Sequence, residues 1–165
     1  MPYVRAVNYN DRILDTTPIT PLETGTYASR VAGVVFHRLP HFRDFRGLLS
    51  VGEAGDQIPF EVRRFFLVSG VASEEIRGEH AHHRLYQFLV CVHGSCEVMV
   101  DDGVNRESFR LDDPSCAVLV PPMVWGVQHR FTQDAVLLVL ASEKYDSADY
   151  IRDYDEFLKL LKAAR

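Results

Sequence analysis

From residue 34 to residue 141 the chain breaks into nine short runs rich in β-branched and aromatic residues, each bounded by turn residues. The runs fall at 34–38, 48–52, 64–69, 86–92, 96–101, 107–111, 116–120, 127–131 and 135–141. Strands this short and this evenly spaced predict an all-β sandwich or barrel, and nine of them suffice for a closed or nearly closed one. The Asp102-Gly103 pair separates the fifth and sixth runs, as in a tight hairpin whose turn needs positive φ. His93-Gly94-Ser95 marks a similar reversal. The ending is of another kind. Over residues 147–165, Tyr150, Ile151, Tyr154, Phe157, Leu158 and Leu161 recur at helical spacing, with Ser147 as N-cap and Lys159 and Lys162 near the C-terminus. This pattern predicts one amphipathic helix packed on the barrel. The expected organisation is therefore an N-terminal arm or added edge strands over 1–33, a barrel over 34–146 and a C-terminal helix over 147–165.

At 165 residues, 47% of them hydrophobic, the chain makes one domain with a sizeable core. A net charge of −5 excludes a general nucleic-acid binder, which needs a basic surface to neutralise phosphates. The longest apolar run, 135–141, is far below the ~20 residues of a membrane-spanning helix, and the first residues carry no signal-peptide pattern. Three cysteines, Cys91, Cys96 and Cys116, lie in strand-like sequence without Cys-x-x-Cys spacing. They read as buried free thiols in a reducing, cytoplasmic compartment. Of 18 basic residues only Lys144, Lys159 and Lys162 are lysine. The remaining cations are arginines, whose planar fork suits phosphate and carboxylate.

The chemistry concentrates in Arg77-Gly-Glu-His-Ala-His82 and the residues after it. On a strand, His80 and His82 project from one face while His83 points the other way. Two imidazoles side by side beside Arg77 and Gln87 make a titratable cluster of the kind found in active sites. The spacing resembles the first sequence motif of the cupin superfamily, with Gln87 at the usual glutamate position and Gly94 closing the motif. The second cupin motif corresponds to Pro121-Pro-Met-Val-Trp-Gly126, so Gly126 stands where the remaining metal-binding histidine is expected. Two imidazoles and an amide are a poor set for a catalytic divalent ion. The sequence therefore implies no metal and no cofactor, although His129 is a conceivable third ligand.

At finer grain the chain resembles the sugar nucleotide 3,4-ketoisomerases, a cupin family of deoxysugar biosynthesis that serves lipopolysaccharide O-antigen assembly. The words carrying the resemblance are Arg46-Gly47, Ile58-Pro59-Phe60-Glu61 followed by Arg64, Arg77-Gly-Glu-His-Ala-His82, Gln87-Phe-Leu-Val-Cys91, Asp101-Asp-Gly103, Pro122-Met-Val-Trp125 and the stretch from Leu140 to Phe157. The resemblance implies a single cupin jelly roll acting, without metal, on a nucleotide-linked 4-keto-6-deoxyhexose, most often the dTDP form. A base removes the proton at sugar carbon 3, an enediol forms, and a proton returns at carbon 4. His80 and His82 become the catalytic pair. Arg46, Arg64, Arg77 and Gln87 become the groups that bind diphosphate and enediolate, and Trp125 a ring that stacks on base or sugar. The acidic run Asp146 to Glu156 reads as the solvated face of the helix. Gly126 departs from the family by removing a polar group, which bears on stereochemistry at carbon 4, and Arg64-Phe65-Phe66 lacks the family's tyrosines and with them one proton shuttle. A homodimer, with strands of residues 1–33 exchanged between subunits, covers the exposed edges. Three alternatives accompany this reading: a 3- or 5-epimerase of the same substrates, a non-catalytic nucleotide-sugar-binding cupin, and a metal-dependent dioxygenase.

Overall fold

The computed structural model describes residues 24–164. In chain order the strands are β1 (Gly25–Ala28), β2 (Val35–Arg38), β3 (His41–Asp44), β4 (Gly47–Ser50), β5 (Arg64–Ser69), β6 (Arg77–His82) and β7 (Gln87–His93). There follow β8 (Cys96–Asp101), β9 (Arg106–Leu111), β10 (Cys116–Val120), β11 (Trp125–His129), β12 (Val136–Ala141) and β13 (Tyr150–Ile151), and then one helix, α1 (Tyr154–Ala163). One sheet runs β1-β2-β10-β7-β12-β5 and a second runs β13-β6-β11-β8-β9, all antiparallel. The fold is all-β, a cupin-type jelly roll in which the two sheets face each other across one core.

Strand alternation sorts the apolar residues into three layers. Leu89, Cys91, Cys96, Val98, Val100, Leu111, Val118, Phe131, Leu137 and Val139 fill the space between the sheets. Fully burying an aliphatic or aromatic side chain contributes about 1.5–3 kcal/mol, so this layer is the main source of stability. The opposite side of β7 and β10 presents Phe88, Val90, Ala117 and Leu119, covered by Leu39 and Ile58. Outside the other sheet, Ala81 and Trp125 pack with Ile151 and Phe157 beneath α1. The three cysteines are free and buried.

The C-terminal expectation needs correction. The helix begins at Tyr154, not near Ser147, and its N-cap is Asp153, whose carboxylate accepts from the Glu156 N–H at 2.8 Å. Ser147 instead opens a single 3-10 turn (Ser147–Asp149) capped by Asp146. Tyr150 and Ile151 then pair with His82 and Ala81, which takes them out of any helix. The run read as 127–131 lies at Trp125–His129, because Arg130 adopts φ +53° and ends the strand. Part of the presumed arm, β1, pairs with its own chain's β2. The rest of the arm, residues 1–23, lies outside the described residues. Among the described residues, no helix is long and apolar enough to cross a membrane.

Candidate active site

One irregularity in β6 sets the site. β11 pairs with β6 as Gly126 with His80, then Val127 with Gly78 and Gln128 with Arg77, so Glu79 is an extra residue. Gly78 and Glu79 take up the bulge at φ +87° and +54°. A Cβ on Gly78 would lie 2.7 Å from the Gly126 carbonyl oxygen, so only glycine fits there. Without the extra residue, alternation would turn Arg77 away from the histidines. With it, Arg77, His80 and His82 share a face with Gln128 and Gly126 of β11.

The two imidazoles meet edge to face, with Nε2 of His80 3.1 Å from Nε2 of His82. Nδ1 of His80 donates to the Gly78 carbonyl at 2.9 Å, and Nδ1 of His82 lies 3.2 Å from Oδ2 of Asp149. Both ends of this last contact are buried, His82 being 5% exposed and Asp149 3%. The other oxygen of Asp149 accepts from the Arg84 backbone N–H at 2.9 Å. Since a carbonyl only accepts, His80 carries its proton on Nδ1, and a neutral His82 directs its own proton from Nδ1 to Oδ2 of Asp149. Burial lowers the pKa of His80. Burial, followed by the neighbouring His80, lowers that of His82 to about 4, against the raising effect of Asp149.

His80 lines a cavity of about 150 Å³ together with Phe66, Arg77, Gln87, Gln128, Val139 and Tyr150. His82 sits behind it, next to a void the size of one water molecule. The Tyr150 ring covers both imidazoles, its centroid 4.9 Å from His80 and 4.3 Å from His82, and the Arg152 guanidinium lies over its other side at 4.3 Å. The Gln87 amide is 3.5 Å from Nε2 of His82. Arg64 shares the inward face of β5 with Phe66 and is held between the rings of Phe66 and Tyr145 at 5.3 and 5.6 Å. Its Nε and Nη2 are buried without a hydrogen-bond partner among the described residues. A guanidinium with two buried, unpaired nitrogens, packed on the Phe66 ring that lines the cavity, suits an anion.

Two residues assigned to the site from sequence are placed elsewhere. Arg46 is in the β3–β4 hairpin, bound to Asp44 through Nε at 2.9 Å. Leu48 and Leu49 of that hairpin border the outward residues Phe88, Val90, Leu138 and Leu140, so within one subunit the six-stranded sheet separates Arg46 from the histidines. Trp125 points the opposite way from Gly126 and packs on Tyr154 and Phe157 at 5.1 and 5.6 Å, under α1 and off the lining of the cavity beside His80. His129, on that same outward face, approaches Glu97 at 3.9 Å, which removes it as a third metal ligand. Gly126 supplies no donor, and Asp149 is engaged behind His82. No group of three or more His, Cys, Asp or Glu among the described residues is disposed to hold a metal ion. The donor set does not fit the metal that many cupins carry.

Sequence reasoning missed Asp149, Tyr150 and Gln128. Asp149 lay inside the acidic run taken as a solvated helix face. The available signal was Tyr150-Ile151, whose apolar pair also suits a short strand, and such a strand would draw the preceding aspartate inward.

A family model described as FdtA, WxcM-like, C-terminal matches residues 32–162. A TDP-4-oxo-6-deoxy-α-D-glucose-3,4-oxoisomerase of Aneurinibacillus thermoaerophilus is 45% identical over 118 residues, which span 72% of this chain and 85% of that protein. Among solved structures, a histidine-to-asparagine variant of the 3,4-ketoisomerase QdtA from Thermoanaerobacterium thermosaccharolyticum, in complex with TDP-4-keto-6-deoxyglucose, superposes with a TM-score of 0.76. It is 34% identical, over 80% of this chain and 96% of that one. The TDP-quinovose 3,4-ketoisomerase WlaRB of Campylobacter jejuni gives a TM-score of 0.74 at 37% identity, over 78% and 99%.

Proposed function

The chain belongs to the FdtA, WxcM-like C-terminal family, and from that premise we propose that it is a 3,4-ketoisomerase of a TDP-linked 4-keto-6-deoxyhexose. The observation that carries the reading is the buried His80–His82–Asp149 chain ending at a cavity beside the unpaired guanidinium of Arg64. A proton-transfer site and an anion site side by side suit an anionic keto sugar.

His80, at the cavity wall, takes the proton from carbon 3 on Nε2, the nitrogen that carries no proton of its own. The electron pair of that C–H bond forms the carbon 3–carbon 4 double bond, and the carbonyl oxygen on carbon 4 becomes an enediolate oxygen. The proton is then returned to carbon 4, the hydroxyl on carbon 3 loses its proton to leave the new ketone, and the oxygen on carbon 4 gains one. His82 supplies or accepts a proton behind His80 across 3.1 Å, and Asp149 offsets the charge that passes through. A positioned acid or base contributes on the order of 10²–10⁴-fold in rate. Arg64 and Arg77 face the diphosphate and the developing oxyanion, and Gln87 holds His82. No metal takes part.

The protein acts in the cytoplasm as a homodimer in this reading. Phe65 and Leu67, 67% and 57% exposed, lie on the outer face of the edge strand β5 and support burial against a second copy. Light scattering at twice the monomer mass is expected.

The catalytic test is NMR in deuterated water with TDP-4-keto-6-deoxyglucose and no added metal. The 3-keto isomer should appear with deuterium at carbon 4. Exchange at carbon 3 or 5 with the ketone kept at carbon 4 would make the protein an epimerase. Binding without any exchange would make it a non-catalytic sugar-nucleotide cupin.

A further inference from the structure

Gln128 is 9% exposed and lines the cavity, and its amide makes no hydrogen bond to another described residue. A carboxamide at a cavity wall without a protein partner has its donors and acceptor free for a ligand. Its surroundings are built around it. Both amide heteroatoms lie 3.0 Å from the point a Cβ on Gly78 would occupy, so the bulge glycine makes the seat. The amide borders the 150 Å³ cavity on one side and the water-sized void beside His80 and His82 on the other. Its strand neighbours toward the histidines and the rim are Gly126, which contributes no side chain, and the register partner Arg77.

We propose that Gln128 is a substrate-binding residue that grips the two vicinal oxygens at the reacting carbons and so selects for a sugar bearing a ketone next to a hydroxyl. This rests on the ketoisomerase reading above. A carboxamide presents a donor and an acceptor side by side. A ketone accepts and the neighbouring hydroxyl donates, so N–H meets the carbonyl while the amide oxygen meets the hydroxyl. Isomerisation exchanges ketone and hydroxyl between the two carbons. A half-turn of the amide matches the product equally well, and in between the N–H faces the enediolate oxygen. A carboxylate or a thioether at this position lacks one or both of these contacts. Sites that hydrogen-bond a substrate oxygen discriminate strongly, because a mismatch leaves buried polar groups unpaired.

The test compares Gln128→Met, similar in shape without the amide, and Gln128→Asn, which withdraws the amide by one methylene. Each is assayed for deuterium incorporation with TDP-4-keto-6-deoxyglucose and for binding of TDP alone. Both variants should lose about 10–100-fold in kcat/KM while their Kd for TDP stays within twofold of the wild type, since TDP has no sugar for the amide to grip. If either variant binds TDP as the wild type does and keeps kcat/KM within twofold, the inference is overturned and the ketoisomerase reading stands. If the wild type itself produces no isomer, both fall.

Discussion

The same strands build two very different ends of the molecule's interior. Val120, Gln87, Ala141 and Arg64 form one row across the six-stranded sheet. Val118, Leu89, Val139 and Phe66 form the next, and Cys91, Leu137 and Val68 the one after. Two residues further along each strand the inward surface passes from a row that holds Gln87 and Arg64 to one that is wholly apolar. Ala141, between Gln87 and Arg64, is the smallest residue of its row. The apolar rows hold the sheets together, while the polar row and the histidines facing it are held in place by them. Groups that are costly to bury alone are tolerated because the neighbouring rows supply the stability that offsets them.

The sharpest way to separate the two ends is to damage each alone. His80→Asn should lower kcat/KM by about 10²–10⁴-fold, some 3–5 kcal/mol of barrier, and leave the melting temperature close to that of the wild type. Phe131→Ala, in the apolar layer between the sheets, should do the reverse. Urea unfolding should show a loss of about 3–5 kcal/mol, with kcat of the folded enzyme within twofold. If His80→Asn unfolds the protein, or Phe131→Ala abolishes turnover in folded material, the two ends are not separable.

Acid should weaken the polar end specifically. The pKa of His82 is lowered in the folded chain from 6.5 to about 4, so the unfolded chain binds the proton first as pH falls. The stability linked to His82 is whole above pH 6.5 and is lost between pH 6.5 and about 4, amounting to about 3 kcal/mol. Urea unfolding at pH 7 and pH 4.5 should show a smaller pH dependence in His82→Asn than in the wild type. Asp149 raises the pKa of His82, so Asp149→Asn should push it further down, visible by NMR titration of the imidazole. Activity should fall about 10-fold, less than for either histidine, because the aspartate acts through His82. The smallest effect is expected at Gly126. An added Cβ meets nothing closer than 3.9 Å, so Gly126→Ala should change stability by no more than about 0.5 kcal/mol, whereas Gly78→Ala should fail to fold or melt far lower.

Much of this contrast was legible in the sequence. Period-two alternation gave the strands of the apolar rows and set His80 and His82 on one face, and that arrangement is local. Three features were not local. Arg77 turns inward only because Glu79 is an extra residue, which alternation alone cannot reveal. Trp125 could face either the cavity or α1, and the choice rests on helix packing. Asp149 reaches His82 across 67 residues from a segment whose apolar spacing suits a helix as well as the short strand it forms. Arg46 shows the same weakness in reverse, since a residue type suited to a phosphate was assigned to the cavity without knowing which side of a sheet it occupies.

The position of Asp149 also fixes when the site becomes complete. Chains emerge from the ribosome N-terminus first, and domains fold as they emerge. Twelve strands through Ala141 precede Asp149, so the strands that carry His80 and His82 emerge ahead of the aspartate and of β13, which closes the edge of their sheet. A nascent barrel at that stage already has its two histidines, but His82 has no carboxylate behind it and no Tyr150 ring over it. The proton relay is therefore completed only after the strands that hold the two histidines have emerged.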